Sequence, residues 1–231
     1  ESKERVRSAA KNSGIGLTQH RLTINLTPAT LPKKGSGFDV AMVVAALQAE
    51  KKLKPSGDCV FLGEVGLDGS IRPIPGILPA VKAAADAGHS RVVVPAQNMH
   101  EAALIPGIQV SGFRCLAEIF VALGASAENL KYPPESVREQ PTAEIPEHGI
   151  PSDMSDVAGQ AQGRFALEIA AAGGHHLLFT GPPGSGKTML AERLPGILPP
   201  LDDDAAMEVT AIRSLTAGGT PLRELVRTPP F

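Results

Sequence analysis

His176-Leu177-Leu178-Phe179-Thr180-Gly181-Pro182-Pro183-Gly184-Ser185-Gly186-Lys187-Thr188 is the stretch on which the reading of this chain turns. His176 to Thr180 is predicted as a short buried strand. It runs into a complete G-x-x-x-x-G-K-[ST] pattern, and the helical run LAERL follows. Each part of the pattern has a physical task. Glycines let the backbone curl so that successive N–H groups can face phosphate oxygens. A helix beginning near Lys187 adds its positive N-terminal end. The Lys187 ammonium would span the β- and γ-phosphates, and the Thr188 hydroxyl would hold Mg2+. The implied ligand is ATP or ADP with Mg2+. Its binding residues are Gly181, Pro182, Pro183, Gly184, Ser185, Gly186, Lys187 and Thr188, with Thr188 the metal ligand.

Working outward, the helix before the strand is predicted over Gly163 to Ala172, with Phe165, Ile169 and Ala172 on one face. This unit starts near Asp153 and is assigned residues 153–231. Residues 125–152 read as a linker, because KYPPESVREQPTAEIPEHGIP holds four Glu and five Pro with few apolar anchors. Residues 1–124 form a first domain in which helices and strands alternate. Helices are predicted over Lys3 to Asn12, Phe38 to Leu53, Ala80 to Ala87, Met99 to Leu104 and Leu116 to Leu123. Strands are predicted over Arg21 to Leu26, Cys59 to Leu67, Arg91 to Pro95 and Gln109 to Phe113. Asp68-Gly69 is a hairpin turn into Ser70 to Pro73. Both parts are therefore of the α/β class.

Composition narrows the function. With 22 Lys+Arg against 24 Asp+Glu the formal charge is -2, so the basic footprint of a nucleic-acid binder is missing overall, which leaves room for a local basic surface. There is no Trp and one Tyr, too few aromatics for a base-stacking platform. No apolar run approaches the ~18 residues of a spanning helix, and ESKERVRSAAKNSG has no signal-like core. Cys59 and Cys115 have neither zinc nor disulfide-framework spacing and read as reduced core thiols. The expected compartment is the cytoplasm, with no membrane partner.

The residues around the loop resemble a known family. Asp156-Val157-Ala158-Gly159-Gln160 resembles the D-V-x-G-Q segment that lines the adenine pocket of AAA+ ATPases, although Asp156 as a plain helix cap explains it about as well. From Asp153 to Leu201 the chain resembles magnesium-chelatase-like AAA+ proteins, and RFALEIAAAGGHHLL and RLPGILPPL resemble signatures of the YifB/ComM group. ERVRSAAKNSG, RLTINLTPA, FLGEVGLDGSIRPIPGILPA and RVVVPAQN resemble the Lon-protease-like domain of that group. The resemblance implies a Lon-protease-like N-terminal domain (ribosomal protein S5 domain 2-like) followed by the start of a P-loop AAA+ domain. It also implies Asp156 and Val157 beside the nucleotide, assembly of the parent into a hexameric ring, and a motor acting on DNA in branch migration during natural transformation. Two alternatives stand beside it: the ATPase subunit of a metal chelatase, and an ATP-dependent Lon-like peptidase.

An AAA+ motor needs an apolar run ending in Asp-Glu to position Mg2+ and the attacking water. Nothing after Thr188 qualifies. Asp202-Asp203-Asp204 reads as a set of helix caps. The chain is therefore expected to be a fragment without its own catalytic residues, with any DNA contact lying beyond residue 231. The peptidase alternative needs a Ser-Lys dyad. In Pro32-Lys33-Lys34-Gly35-Ser36-Gly37-Phe38-Asp39 the serine slot of the resembled domain holds Gly37, and its lysine slot holds Leu78. Ser36 lies one residue away and Lys82 one turn away. Ser36-x-x-Asp39 reads as a capping box. Lys51, Lys52 and Lys54 cluster at a helix C-terminus, where cations offset the dipole.

Overall fold

The computed structural model describes residues 2–18, 23–27, 35–134, 153–216 and 222–230. They group into two compact units, Glu1–Glu144 with Ala211–Glu224, and Ile145–Thr210 with Leu225–Phe231.

The first unit is a mixed α/β fold. It contains the helices α1 (Ser2–Asn12), α2 (Asp39–Ala49), α3 (Ile77–Asp86), α4 (Met99–Ala102) and α5 (Leu116–Ala122). Its strands are β1 (Val60–Phe61), β2 (Glu64–Val65), β3 (Ile71–Arg72), β4 (Arg91–Pro95) and β5 (Gln109–Phe113). β1, β4 and β5 make a parallel sheet in that order, registered by Val60 opposite Val92 and Val93 opposite Ser111. The central strand reads RVVVP with its last four residues buried, the apolar run expected of a parallel strand covered on both faces. α2 is apolar nearly all round and is sunk in the core, where Val40, Val43 and Leu47 meet Val6, Leu116 and Phe120.

The single strand expected over Cys59 to Leu67 is divided. Gly63 adopts φ +145, its N–H donates to Gly37 O at 2.8 Å and its carbonyl accepts from Val40 N. A Cβ there would come within 3.0 Å of Ile71 and Val40. Glycine thus lets the chain leave the parallel sheet beside the start of α2 and begin the antiparallel hairpin β2–β3, whose turn is the expected Asp68-Gly69. Asp68 Oδ1 accepts from both Ser70 N and Ser70 Oγ, fixing that turn. Of the strand expected at Arg21 to Leu26, Arg21 and Leu22 lie outside the described residues, and Thr23 to Leu26 form no strand. Residues 125–134, expected to begin the linker, hold a 3-10 turn (Ala127–Asn129), and Ala125 and Leu130 pack on the first core.

The second unit has a 3-10 turn (Met154–Asp156) and the helices α6 (Ala161–Gly173), α7 (Lys187–Ala191) and α8 (Leu194–Ile197). α9 (Asp203–Thr216) follows, and its residues from Ala211 onward group with the first unit. The core here is small: Met154, Val157, Leu167 and Leu190, with Phe179, Met189, Leu194 and Ile197 half-buried against it. α6 turns a different face inward from the one its sequence suggested. Leu167 and Ala170 are buried, while Phe165 is 63% and Ile169 50% exposed. His176 to Thr180 forms no strand, and Leu178 is 83% exposed. A strand requires a ladder partner, and among the described residues none pairs with this segment. Asp202 caps α9 as expected, its Oδ1 accepting from Ala205 N at 2.8 Å, and Asp203 pairs with Arg227.

Candidate functional site

Gly184 and Gly186 adopt φ +80 and +79, left-handed backbone that other residues enter at a cost. They curl the Gly181–Gly186 segment ahead of α7. Among the described residues, the N–H groups of Gly184, Gly186 and Lys187 have no backbone acceptor. Lys187 is the first residue of α7, and its side chain folds back over the loop. Its Nζ donates to Gly181 O at 2.9 Å, Pro182 O at 2.7 Å and Ser185 Oγ at 3.2 Å. A cation is thus held by neutral oxygens alone, with no carboxylate among these partners, which leaves its charge available to an anion. Thr188 is exposed one residue further on.

Residues 153–160 are tied to this loop from the other side. Asp153 Oδ1 caps the 3-10 turn by accepting from Ser155 N, which lowers the Asp153 pKa below the ordinary carboxylate value. Arg193 bridges Asp153 O and Met189 O. Asp156 is exposed, whereas the Val157 side chain is buried in the small core and its carbonyl accepts from Arg164. The cap at the start of this segment is therefore Asp153, not Asp156. Gln160, the last residue of the D-V-x-G-Q stretch, donates from its Nε2 to Ser185 O at 3.0 Å, inside the loop, a contact the motif does not disclose. The available signal was the Gly-Gln pair at a helix start, where Ser, Thr, Asp or Asn is the usual cap.

In the first unit the Ser36 and Lys82 side chains take different partners. Ser36 Oγ donates to the Glu64 carboxylate, whose other oxygen faces Arg72 at 3.6 Å. Lys82 pairs with Asp86 one turn along α3, and Leu78 is fully buried. The expected capping box is absent, because Asp39 instead binds Arg5 through two contacts of 2.8 and 3.2 Å. Two of the clustered lysines have local work: Lys52 binds Gly16 O and Glu50, and the Lys54 stem covers Gly124. Cys115 is buried, and burial raises the half-buried Cys59 thiol, which disfavours its reactive thiolate. Among the described residues, no group of three or more His, Cys, Asp or Glu side chains is placed to hold a metal, and no helix is long and apolar enough to cross a membrane.

The comparisons with known families cover both parts of the chain. The family model for subunit ChlI of Mg-chelatase matches residues 1–98, and that for magnesium chelatase, subunit ChlI, matches residues 153–231. The chain belongs to the YifB/ComM family of magnesium-chelatase-like proteins. It is 48% identical to an uncharacterised protein of Mycobacterium tuberculosis over 100% of this chain and 45% of that relative. It is 41% identical to protein YifB of Escherichia coli, over 93% of this chain and 41% of the relative. Competence protein ComM of Haemophilus influenzae is 37% identical over 93% of this chain and 42% of its own length. The chain thus spans less than half the length of these relatives. A weaker similarity, 28% identity, joins 51% of the chain to 21% of Lon protease 2 of Bacillus subtilis.

Proposed function

We propose that this chain is the ATP-binding portion of a magnesium-chelatase-like AAA+ ATPase, with a Lon-protease-like domain at 1–124, a linker at 125–152 and the beginning of the AAA+ module at 153–231. The observation that carries the reading is the Gly181–Thr188 loop. Its left-handed glycines, the N–H groups of Gly184, Gly186 and Lys187 without backbone acceptors among the described residues, and a lysine whose loop contacts are neutral oxygens suit a polyphosphate. In this reading Lys187 leaves the Gly181 and Pro182 carbonyls for phosphate oxygens, the loop N–H groups donate to the same anion, and Thr188 supplies its hydroxyl to Mg2+. Asp156 and Val157 lie on the adenine side, Val157 through its backbone. Bound MgATP would supply the phosphoryl bond whose hydrolysis drives the parent protein. Since no apolar run ending in Asp-Glu follows Thr188, hydrolysis is assigned to the parent. Competence protein ComM is among the relatives, which favours DNA over a porphyrin as the parent's substrate, in the cytoplasm.

Calorimetric titration with MgADP tests the site. Lys187→Ala removes a charge-assisted contact and is expected to weaken binding by about 1.5–3 kcal/mol. Equal affinity in the two proteins refutes the assignment. The first domain is proposed to be without peptidase activity, because the Ser36 hydroxyl meets a carboxylate that Arg72 already engages, and among the described residues no lysine is hydrogen-bonded to it. A serine-reactive fluorophosphonate is expected to leave Ser36 unlabelled. Labelling that Ser36→Ala abolishes, together with casein turnover, would restore the peptidase alternative.

A further inference from the structure

Gln160 stands out twice in the second unit. It is one of two non-glycine residues described with positive φ, at +53, directly after Gly159 at +73. A bulky residue in left-handed backbone is disfavoured, and such positions concentrate where a side chain has a task. The task visible here is a hydrogen bond across 25 residues of sequence, from Gln160 Nε2 to Ser185 O. The amide also lies against the next residue: a Cβ on Gly186 would sit 3.3 Å from Gln160 Nε2. In a planar trans peptide the C=O and the following N–H point in opposite directions. Holding the Ser185 carbonyl toward Gln160 therefore turns the Gly186 N–H away from it, and that N–H has no backbone acceptor among the described residues.

We propose that Gln160 is a positioning residue for phosphate binding, its side-chain amide fixing the 185–186 peptide so that the Gly186 N–H is pre-aimed for an anion. This inference rests on the nucleotide reading of the loop. Gln160 touches no phosphate in it and acts only through that peptide. The left-handed backbone at 160 serves the same end, since it sets the start of α6 while leaving the side chain on the loop. A glycine would relax the backbone but lose the amide, which gives a way to separate the two.

The test compares MgADP affinity and melting temperature for wild type, Gln160→Met, Gln160→Gly and Lys187→Ala in the full chain. Gln160→Met keeps the length and removes the donor, whereas Gln160→Gly also relieves the left-handed strain. Loss of one preorganising hydrogen bond is expected to weaken MgADP binding about five- to tenfold in both Gln160 variants. The melting temperature should follow the backbone instead, with Gln160→Gly at or above Gln160→Met. Nucleotide affinity unchanged in both Gln160 variants, with Lys187→Ala impaired, overturns this proposal and leaves the nucleotide site standing. Affinity lost only in step with melting temperature also overturns it, because the residue would then be merely structural. Wild type that binds no nucleotide overturns both readings together.

Discussion

At the scale of single residues, the sharpest electrostatic statement concerns Glu101 on α4. It is 3% exposed, its Oε1 has no hydrogen-bond partner among the described residues, and burial raises its pKa above the ordinary 4.5. Polar groups of Ser214, Leu222, Asn98 and Leu78 around the carboxyl offset only part of that. A raised carboxyl pKa in the folded state means that the folded chain keeps a proton the unfolded chain gives up. The associated stability is complete below about pH 4.5 and is lost as pH rises through the folded value. Glu101→Gln, neutral and nearly isosteric, is therefore expected to gain on wild type in urea denaturation as pH rises from the ordinary 4.5 through the raised folded value. A constant difference across that range would contradict the assignment. Asp58 has the opposite sign: His89, then Ser90, hold its pKa down to about 2 from 3.8. Its contribution is present above the ordinary value and lost as pH falls toward 2, so Asp58→Asn should flatten the acid limb alone. The legibility of the candidate site also differs residue by residue. Gly181 to Thr188 stood out in the sequence because a fixed spacing encodes the loop. Gln160 was marked only by the unusual Gly-Gln pair at a helix start, because its contact with Ser185 joins residues 25 positions apart, and that pairing is not written in the local pattern.

Between residues and molecule lie the elements, and α6 carries the most direct test among them. Its sequence offers two apolar stripes, Phe165 with Ile169 and Leu167 with Ala170, and helical periodicity alone does not choose between them. The fold chooses the second, because Met154, Val157 and Leu190 lie against Leu167. Leu167→Ala is expected to destabilise the second unit by about 2–5 kcal/mol, whereas Phe165→Ser should change its stability by about 0.5 kcal/mol or less. Thermal unfolding of both variants decides it, and a larger loss at Phe165 would return α6 to the orientation read from the sequence. The same contrast explains what else the sequence disclosed. β4 and β5 were legible to the residue, since their apolar or alternating runs are bounded by turns and each finds a parallel partner. The predicted strand from Cys59 was not, because one glycine with positive φ divides it between two sheets. His176 to Thr180 has the composition of a buried strand but has no ladder partner among the described residues, and such pairing is a property of the surroundings and not of its own residues. Strand composition states what a segment can do, and pairing decides whether it does.

For the whole molecule, the relevant fact is that 231 residues correspond to 41–45% of the YifB, ComM and mycobacterial relatives. The chain's own small second core and its exposed Leu177 and Leu178 contrast with the well-filled first unit. An ATPase of the proposed kind assembles its reaction centre from several parts: the phosphate loop, an acid that positions Mg2+ and water, and a neighbour's arginine that stabilises the transferring phosphoryl group. Of these, the phosphate loop is the part proposed for this chain. The expected behaviour is therefore split. The 231-residue chain binds MgADP through Lys187 but does not turn over ATP, while the full-length protein forms a hexameric ring and hydrolyses ATP faster with forked DNA. The net charge of -2 is compatible with this, since a ring can line its pore with cations while remaining acidic overall. Light scattering and phosphate release on both proteins, with forked DNA, unfolded casein and a porphyrin as stimulants, distinguish the readings. Steady turnover by the short chain would refute the division of labour. Stimulation by porphyrin without DNA would move the substrate to a metal chelatase, and stimulation by casein with cleavage would move it to a peptidase. Each of those outcomes leaves the loop as the nucleotide site and changes only what its energy is used for.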